Sequence, residues 1–359
     1  MNSKRVVVAM SGGVDSSVTA ALFKDRGFEV IGITMQIWER SEDWGDCGAL
    51  RGTEDAERVA DKLRIPHHVV NLRNTFKEKV IANFCEEYRK GKTPNPCIRC
   101  NQYIKFGALL KKAKELGAVY IATGHYARIE YDKDKKRYLL KRGVDHKKDQ
   151  SYVLYAMAQE QLKHTLMPLG EFAKEKVRQM AEGLDLPVAR RPESQNICFI
   201  PDDDYGKFVQ SYLSEEITPG PILNKKGETI GRHKGIIFYT IGQRKGIGIS
   251  AKKPLYVTGI DKKTNAIFVG RKKEVYSQEL IANKVNFIAI KELKEPLKVE
   301  AKIRYLHQAT SAIVFPLDKN KVLVKFEKPR WALTPGQAVV FYNGDTVIGG
   351  GTIFKTEKK

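Results

Sequence analysis

The chain has 359 residues, with 63 Lys and Arg against 42 Asp and Glu, a formal charge of +21 at pH 7. Its 42% hydrophobic and 9% aromatic residues can bury real cores, which excludes a disordered chain, and the length suits two or three domains. An odd set of five cysteines, no N-terminal apolar leader and no 18-residue apolar run exclude a secreted disulfide scaffold and a membrane-spanning protein, and set the expectation of a reducing cytoplasm.

Val6 to Met10 is an unbroken apolar run, the pattern of a strand covered on both faces in a parallel sheet. A helix follows it and stops near Gly27, and Glu29–Met35 is a second strand. Thr53–Leu63 is expected as a helix with Thr53 as N-cap, ended by Pro66, and His67–Leu72 as a third strand. Thr75–Arg89 reads as helix, Gly91–Asn101 as a loop rich in Pro and Cys, Phe106–Leu116 as helix and Ala118–Thr123 as strand. This alternation predicts a doubly wound α/β domain. Lys133–Lys148 then holds eight Lys or Arg and two acids, and Glu171–Gly183 reads as one more helix. Beyond about Asp204 the pattern turns to short strands: Ile236–Ile241, Leu255–Ile260 and Ala266–Val269. From Ser277 it is all strand, with Val285–Ile290, Val299–Tyr305, Ala312–Phe315, Val322–Phe326 and Ala338–Tyr342, then an Asn343-Gly344 hairpin signal into Thr346–Ile353. The expected organisation is an α/β catalytic domain over 1–204, a small central domain over 205–276 and a C-terminal β-barrel over 277–359.

The charge points to a polyanionic partner, nucleic acid ahead of an anionic membrane. The strand–Ser11-Gly12-Gly13-Val14-Asp15-Ser16-Ser17–helix junction is suited to phosphate. Two glycines let backbone N–H groups face an anion, the helix start adds its dipole, and Ser11, Ser16 and Ser17 offer hydroxyls. Neither Gly-x-x-x-x-Gly-Lys-Ser/Thr nor Gly-x-Gly-x-x-Gly is present. Cys97 and Cys100 form a C-x-x-C that follows two prolines, Pro94 and Pro96, and Cys198 stands alone in Ile197-Cys198-Phe199-Ile200. Three such thiols suit a persulfide relay or three anchors of a [4Fe–4S] cluster, and Arg99 is expected to lower a neighbouring thiol's pKa. Cys47 and Cys85 are read as bystanders, and His67-His68 as strand packing.

Ser11-Gly12-Gly13-Val14-Asp15-Ser16-Ser17 resembles the pyrophosphate loop of ATP pyrophosphatases. Further motifs make the resemblance specific: Thr93-Pro94-Asn95-Pro96, Cys100-Asn101, Ile104-Lys105-Phe106, Ala122-Thr123-Gly124-His125-Tyr126-Ala127-Arg128, Lys148-Asp149-Gln150-Ser151-Tyr152, Thr240-Ile241-Gly242-Gln243-Arg244 with Gly246, Arg304-Tyr305 and Thr334-Pro335-Gly336-Gln337. End to end the chain resembles the tRNA-specific 2-thiouridylase (MnmA, TrmU) family. That resemblance implies a tRNA-uridine 2-sulfurtransferase on an adenine-nucleotide hydrolase-like fold. ATP with Mg2+ would sit at Ala9, Met10, Ser11, Gly12, Gly13, Val14, Asp15 and Ser16, with Met35 and Gly124 at the nucleotide. Cys198 would carry a persulfide and Cys100 would be its partner, closing a disulfide with it. Asn95, Pro96 and Cys97 would lie at the target base, and His125, Lys148, Asp149, Gln150, Arg304, Tyr305 and Gln337 would contact tRNA. The implied partners are the anticodon arm of tRNA and a persulfide donor such as a cysteine desulfurase or a sulfur carrier, with no membrane. Better-known members carry Asp where this chain has Cys97. Members with C-x-x-C have been linked to a [4Fe–4S] cluster, whose ligands here would be Cys97, Cys100 and Cys198.

Overall fold

The computed structural model describes residues 4–38, 49–192, 197–200, 203–213 and 216–357. Cys47 lies outside them. Seventeen strands are described in chain order, β1 to β17. They begin with β1 (Arg5–Ala9), β2 (Glu29–Gln36), β3 (His67–Asn71) and β4 (Tyr120–Ala122), the hairpin β5 (Ala127–Asp132) and β6 (Arg137–Arg142), and the short β7 (Thr165–Leu166).

The order β3-β2-β1-β4-β7 is parallel throughout. The apolar run of β1 explains its central place, because alternate side chains enter two different cores. Val7, with Ile31, Ile33 and Ile121, faces the helix Leu109–Glu115, and Val6 and Val8, with Val30 and Ala122, face the helices Val14–Asp25, Ala49–Leu63 and Lys174–Gly183. A strand buried on both faces needs apolar residues at every position. The chain leaves β1 toward β2 and β3 on one side and returns to β4 on the other. The carboxyl ends of β1 and β4 therefore flank the reversal of strand order, where open α/β sheets form a crevice.

The central segment places β8 (Gly220–Leu223), β9 (Thr229–His233), β10 (Tyr256–Asp261) and β11 (Ala266–Gly270) in the order β10-β11-β8-β9, preceded by the helix Tyr205–Leu213. The C-terminal segment holds β12 (Tyr276–Phe287), β13 (Leu297–Lys302), β14 (Thr310–Asp318), β15 (Lys321–Trp331), β16 (Ala338–Asn343) and β17 (Thr346–Glu357). They pair as β12-β15-β14-β13-β16-β17, and β17 pairs back with β12, closing a six-stranded barrel. The expected class, a doubly wound domain followed by a small β module and a barrel, is what the chain adopts.

Several local expectations change. Thr53 lies inside the helix Ala49–Leu63, which starts before the acids of its sequence signal. The Gly91–Asn101 loop is shorter than expected: Pro96–Arg99 is α-helical and runs without a break into a π-helical stretch, Cys100–Ala108. Pro at the first helical position and Asn95 before it make a start signal, and the two prolines masked it. Ile236–Phe238 is a 3-10 turn, not part of a strand, and the strand expected at Val285–Ile290 ends at Phe287, its apolar tail packing as coil. The basic stretch after Ile129 is the hairpin β5–β6, which extends the barrel sheet: Lys141 pairs with Thr346 and Arg128 bonds Asp345 at 2.7 Å. The hairpin signal at Asn343-Gly344 acts one residue later, with Gly344 at φ +58 as the first of two turn residues between Asn343 and Thr346.

Candidate active site

The loop after β1 and the loop after β4 meet at the strand-order reversal. Gly12 has φ +70, and a Cβ there would lie 2.1 Å from the Gly52 carbonyl oxygen. Gly124, just beyond β4, would drive a Cβ to 2.8 Å from the Asp15 backbone. Both positions require glycine for close approach: Gly12 lets the first loop pack on the helix Ala49–Leu63, and Gly124 brings the second loop against the start of the helix Val14–Asp25. The serine hydroxyls are engaged within the loop. Ser16 and Ser17 donate to the Gly13 carbonyl at 3.1 and 2.9 Å, and the Ser11 N–H donates to Ser16 Oγ at 3.2 Å. These bonds fix the loop's shape.

Asp15 points to charges that the sequence did not single out. Its carboxylate accepts two bonds from Lys174 Nζ, at 2.7 and 2.8 Å, and one from Tyr126 Oη at 2.7 Å. Lys174 is 5% exposed, and a lysine is rarely buried to that degree unless paired. Arg191 donates to the Gly12 carbonyl at 2.9 Å and pairs with Asp55. Met35, half-buried at the end of β2, packs between two cores beside this crevice.

The thiol region is built by a brace between distant segments. Gln337 Nε2 donates to the carbonyls of Thr93 and Pro94 at 2.9 and 3.4 Å. The Thr93 N–H donates to Pro335 O at 2.9 Å, and Gly336, at φ +94, lies so close that a Cβ would sit 2.9 Å from Thr93 N. Asn95 then caps the helix, its Oδ1 accepting from the N–H groups of Cys97 and Ile98. On the far side, Phe199 anchors Cys198 in an aromatic cluster with Phe76, Phe84 and Phe208, at ring separations of 5.3 to 5.5 Å.

Cys97 and Cys198 are exposed, Cys100 half-buried and Cys85 buried, and all four are free thiols. Cys85 lies in the core beneath the π-helix, as a bystander would. The other three influence one another electrostatically. Burial pushes Cys100 up to about 11 and Cys198 up to about 12, with the neighbouring thiols adding to the rise, and it also raises Cys97. Cys97 and Cys198 are thus reached by water although protein surrounds them. The cation that bears on all three is Lys105, not Arg99. Arg99 donates to the Lys79 carbonyl and lies over the Tyr103 ring. The π-helix explains this. Its i→i+5 bonding aligns Cys100 with Lys105, residues that an α-helix would turn apart. Lys105 Nζ is 3.4 Å from His125 Nε2, and His125 Nδ1 is 2.8 Å from Thr123 Oγ1. Burial, with Lys105 adding to it, holds the His125 imidazole well below its ordinary pKa, so it is neutral. Among the described residues, no three His, Cys, Asp or Glu side chains come close enough to hold one metal ion.

The remaining expected residues divide in two. Asp149 and Gln150 are occupied by backbone: Asp149 accepts from Gly143 N, Ser151 N and Ser151 Oγ, and Gln150 Oε1 accepts from Tyr126 N at 2.9 Å. Arg304 spans from the barrel to the central segment, with Thr334 Oγ1 at 2.8 Å and Ile241 O at 3.5 Å. Lys148 and Tyr305 are half-buried, and Lys302 lies over the Tyr305 ring.

Three family models tile the chain: one described as tRNA methyl transferase HUP domain over residues 4–202, one as tRNA methyl transferase PRC-barrel domain over 206–271, and one as aminomethyltransferase beta-barrel domain over 277–353. The tRNA-specific 2-thiouridylase MnmA 1 of Caldanaerobacter subterraneus subsp. tengcongensis is 55% identical over 358 residues, covering 98% of each chain. The protein of that name from Acetivibrio thermocellus is 53% identical over 98% of this chain and 100% of its own, and that of Pelotomaculum thermopropionicum 55% identical over 99% of each.

Proposed function

The chain belongs to the tRNA-specific 2-thiouridylase MnmA family, and from that premise we propose that it replaces the C2 carbonyl oxygen of the wobble uridine of tRNA with sulfur, using ATP. The observation that carries the reading is the meeting of Cys97, Cys100 and Cys198 around Lys105, on a helix braced beside the crevice between β1 and β4. Three thiols about one lysine favour sulfur transfer over the methyl transfer named in two of the matched models' descriptions.

The crevice fits a triphosphate: two glycines, a helix N-terminus and a buried lysine converge there. Ala9 to Ser16, with Met35 and Gly124, would hold ATP, and Asp15 would hold its Mg2+. ATP supplies adenylation of the uridine O2, which turns a poor leaving group into a good one. Lys174 holds the Asp15 carboxylate in place before the nucleotide arrives. Cys198 carries the donated sulfur as a persulfide, whose outer sulfur attacks C2, breaking the C2–O2 bond and expelling AMP. The Cys100 thiolate then attacks the inner sulfur, releasing thiouridine and leaving a Cys100–Cys198 disulfide for a reductant to reopen. Lys105 stabilises each thiolate as it forms. Asn95, Pro96 and Cys97 shape the seat of the base. His125, Asp149, Gln150 and Gln337 act on tRNA through the loops they hold, while Lys148, Arg304 and Tyr305 offer charge and a ring. A wobble base lies in a loop, so taking it out of its stack is inexpensive.

The test supplies tRNA, ATP and a persulfide donor and measures 2-thiouridine by nucleoside mass spectrometry. Cys198→Ser and Cys100→Ser should abolish the product, while Cys97→Asp should retain it. Product from the Cys198→Ser protein, or a dead but folded Cys97→Asp protein, would overturn the relay.

A further inference from the structure

A cleft of about 870 Å³ opens between the π-helix and the barrel. One wall carries Gln102 and Tyr103, the other Asn283 and Lys284 of β12, the turn residue Asn320 and Lys321 at the start of β15. The cleft lies across the helix from the thiols. Cys100 and Lys105 mark one side of the π-turn, and Gln102 and Gly107, also five apart, mark the side that meets the cleft.

The walls are built rather than accidental. Gln161 Nε2 donates to the Gln102 and Phe106 carbonyls at 3.0 and 2.8 Å. Asn286 Nδ2 donates to those of Tyr155 and Met157 at 2.7 and 3.0 Å. These two amides are consumed in joining the helical layer to the barrel. By contrast, the side-chain amides of Gln102, Asn283 and Asn320 and the Tyr103 hydroxyl have no hydrogen-bond partner among the described residues. Lys284 adds a cation with no ion-pair partner among the described residues, held at φ +50 where β12 bulges between Asn283 and Asn286. A non-glycine residue held in that region is a strained position that the surrounding structure maintains, and such positions concentrate at functional sites. Among the described residues no carboxylate lines the cleft, whereas the rim cation Lys321 is held by Asp318 at 3.1 Å.

We propose that this cleft is a second RNA site, which takes an unstacked nucleotide of the substrate tRNA on the far side of the thiol-bearing helix from the reacting base. Carboxamides present paired donors and acceptors that match the edges of a nucleobase. Tyr103, with Arg99 already on its ring at 4.7 Å, is a stacking platform of the kind that single-stranded RNA uses. Lys284 answers a phosphate. The charge decides against a basic or mixed-charge peptide segment, which needs an acidic contact that the lining does not offer. The inference rests on tRNA being the substrate.

The experiment uses the full chain with unmodified substrate tRNA. Asn283→Ala with Asn320→Ala should weaken tRNA binding about tenfold, leaving ATP binding and the thermal midpoint unchanged. Lys284→Gly, which suits the positive φ, should lower the log–log salt slope of binding by about one. Independently of any variant, tRNA carrying photoreactive nucleotides should cross-link wild-type protein at Tyr103 or within 283–286. Unchanged affinity in both variants, or cross-links that miss both segments, would overturn the proposal. So would intact tRNA binding with loss of transfer from a protein donor alone, which would give the cleft to that donor. Failure of the wild-type protein itself to bind tRNA would instead overturn the reading beneath.

Discussion

At the scale of single residues, the site is governed by who neutralises whom. Burial raises Cys100 to about 11 and Cys198 to about 12, so both are neutral thiols at pH 7 in the free protein. Alkylation of these two should keep accelerating about tenfold per pH unit well past pH 9, where an ordinary exposed thiol has levelled off. A plateau by about pH 8, read by mass spectrometry of the Cys198 peptide, would contradict the burial described. Asp15 gives a second expectation. Lys174→Met removes its only ion-pair partner among the described residues. The cost in urea unfolding should be about 1–3 kcal/mol, less than for a fully buried pair, because a third of the Asp15 side chain faces water. ATP-dependent thiolation should fall about 100-fold or more. Asp15 was legible in the sequence because it sits in the glycine loop. Lys174 was not, because its helix carries Lys174, Lys176 and Arg178 within five residues and nothing local says which one turns inward.

At the scale of elements, the Thr93–Pro96 segment depends on two caps that lie far apart in the chain. Gln337→Ala deletes two hydrogen bonds to it and should cost about 1–2 kcal/mol, and Asn95→Ala should cost about 1 kcal/mol as a lost helix cap. Both act on the same strand of backbone, so the double variant should depart from additivity in a denaturant double-mutant cycle. Faster alkylation of Cys97 in each single variant would show the helix start loosening. The parallel strands were readable from apolar runs, since burial on both faces leaves a signature in every residue. The π-stretch was not. Its consequence, Lys105 beneath Cys100, needs a five-residue period, whereas the apolar positions of that helix follow the ordinary one. The hairpin β5–β6 was missed because its charge, not its alternation, dominates the sequence there.

At the scale of the whole molecule, burial lowers the pKa of four histidines, His67, His125, His233 and His307. A depressed histidine contributes stability above its unfolded value of about 6.5 and withdraws it as pH falls below. The unfolding midpoint in urea should therefore drop between pH 7 and pH 5, and His125→Gln should flatten part of that drop. A midpoint insensitive to this range would contradict the buried neutral imidazoles. The three segments are also less separable than their sequence texture suggests, because β6, encoded early, finds its outer partner in β17. Arg128, on the adjoining β5, meets Asp345 217 positions downstream. A ribosome adding about 5–20 residues each second takes roughly 10–45 s to cover that distance. Throughout that interval the nascent chain shows an unpaired strand edge. The sequence Arg-Tyr-Leu-Leu-Lys-Arg at Arg137–Arg142 brackets its apolar centre with cations, the guard that keeps a waiting edge from recruiting a stranger.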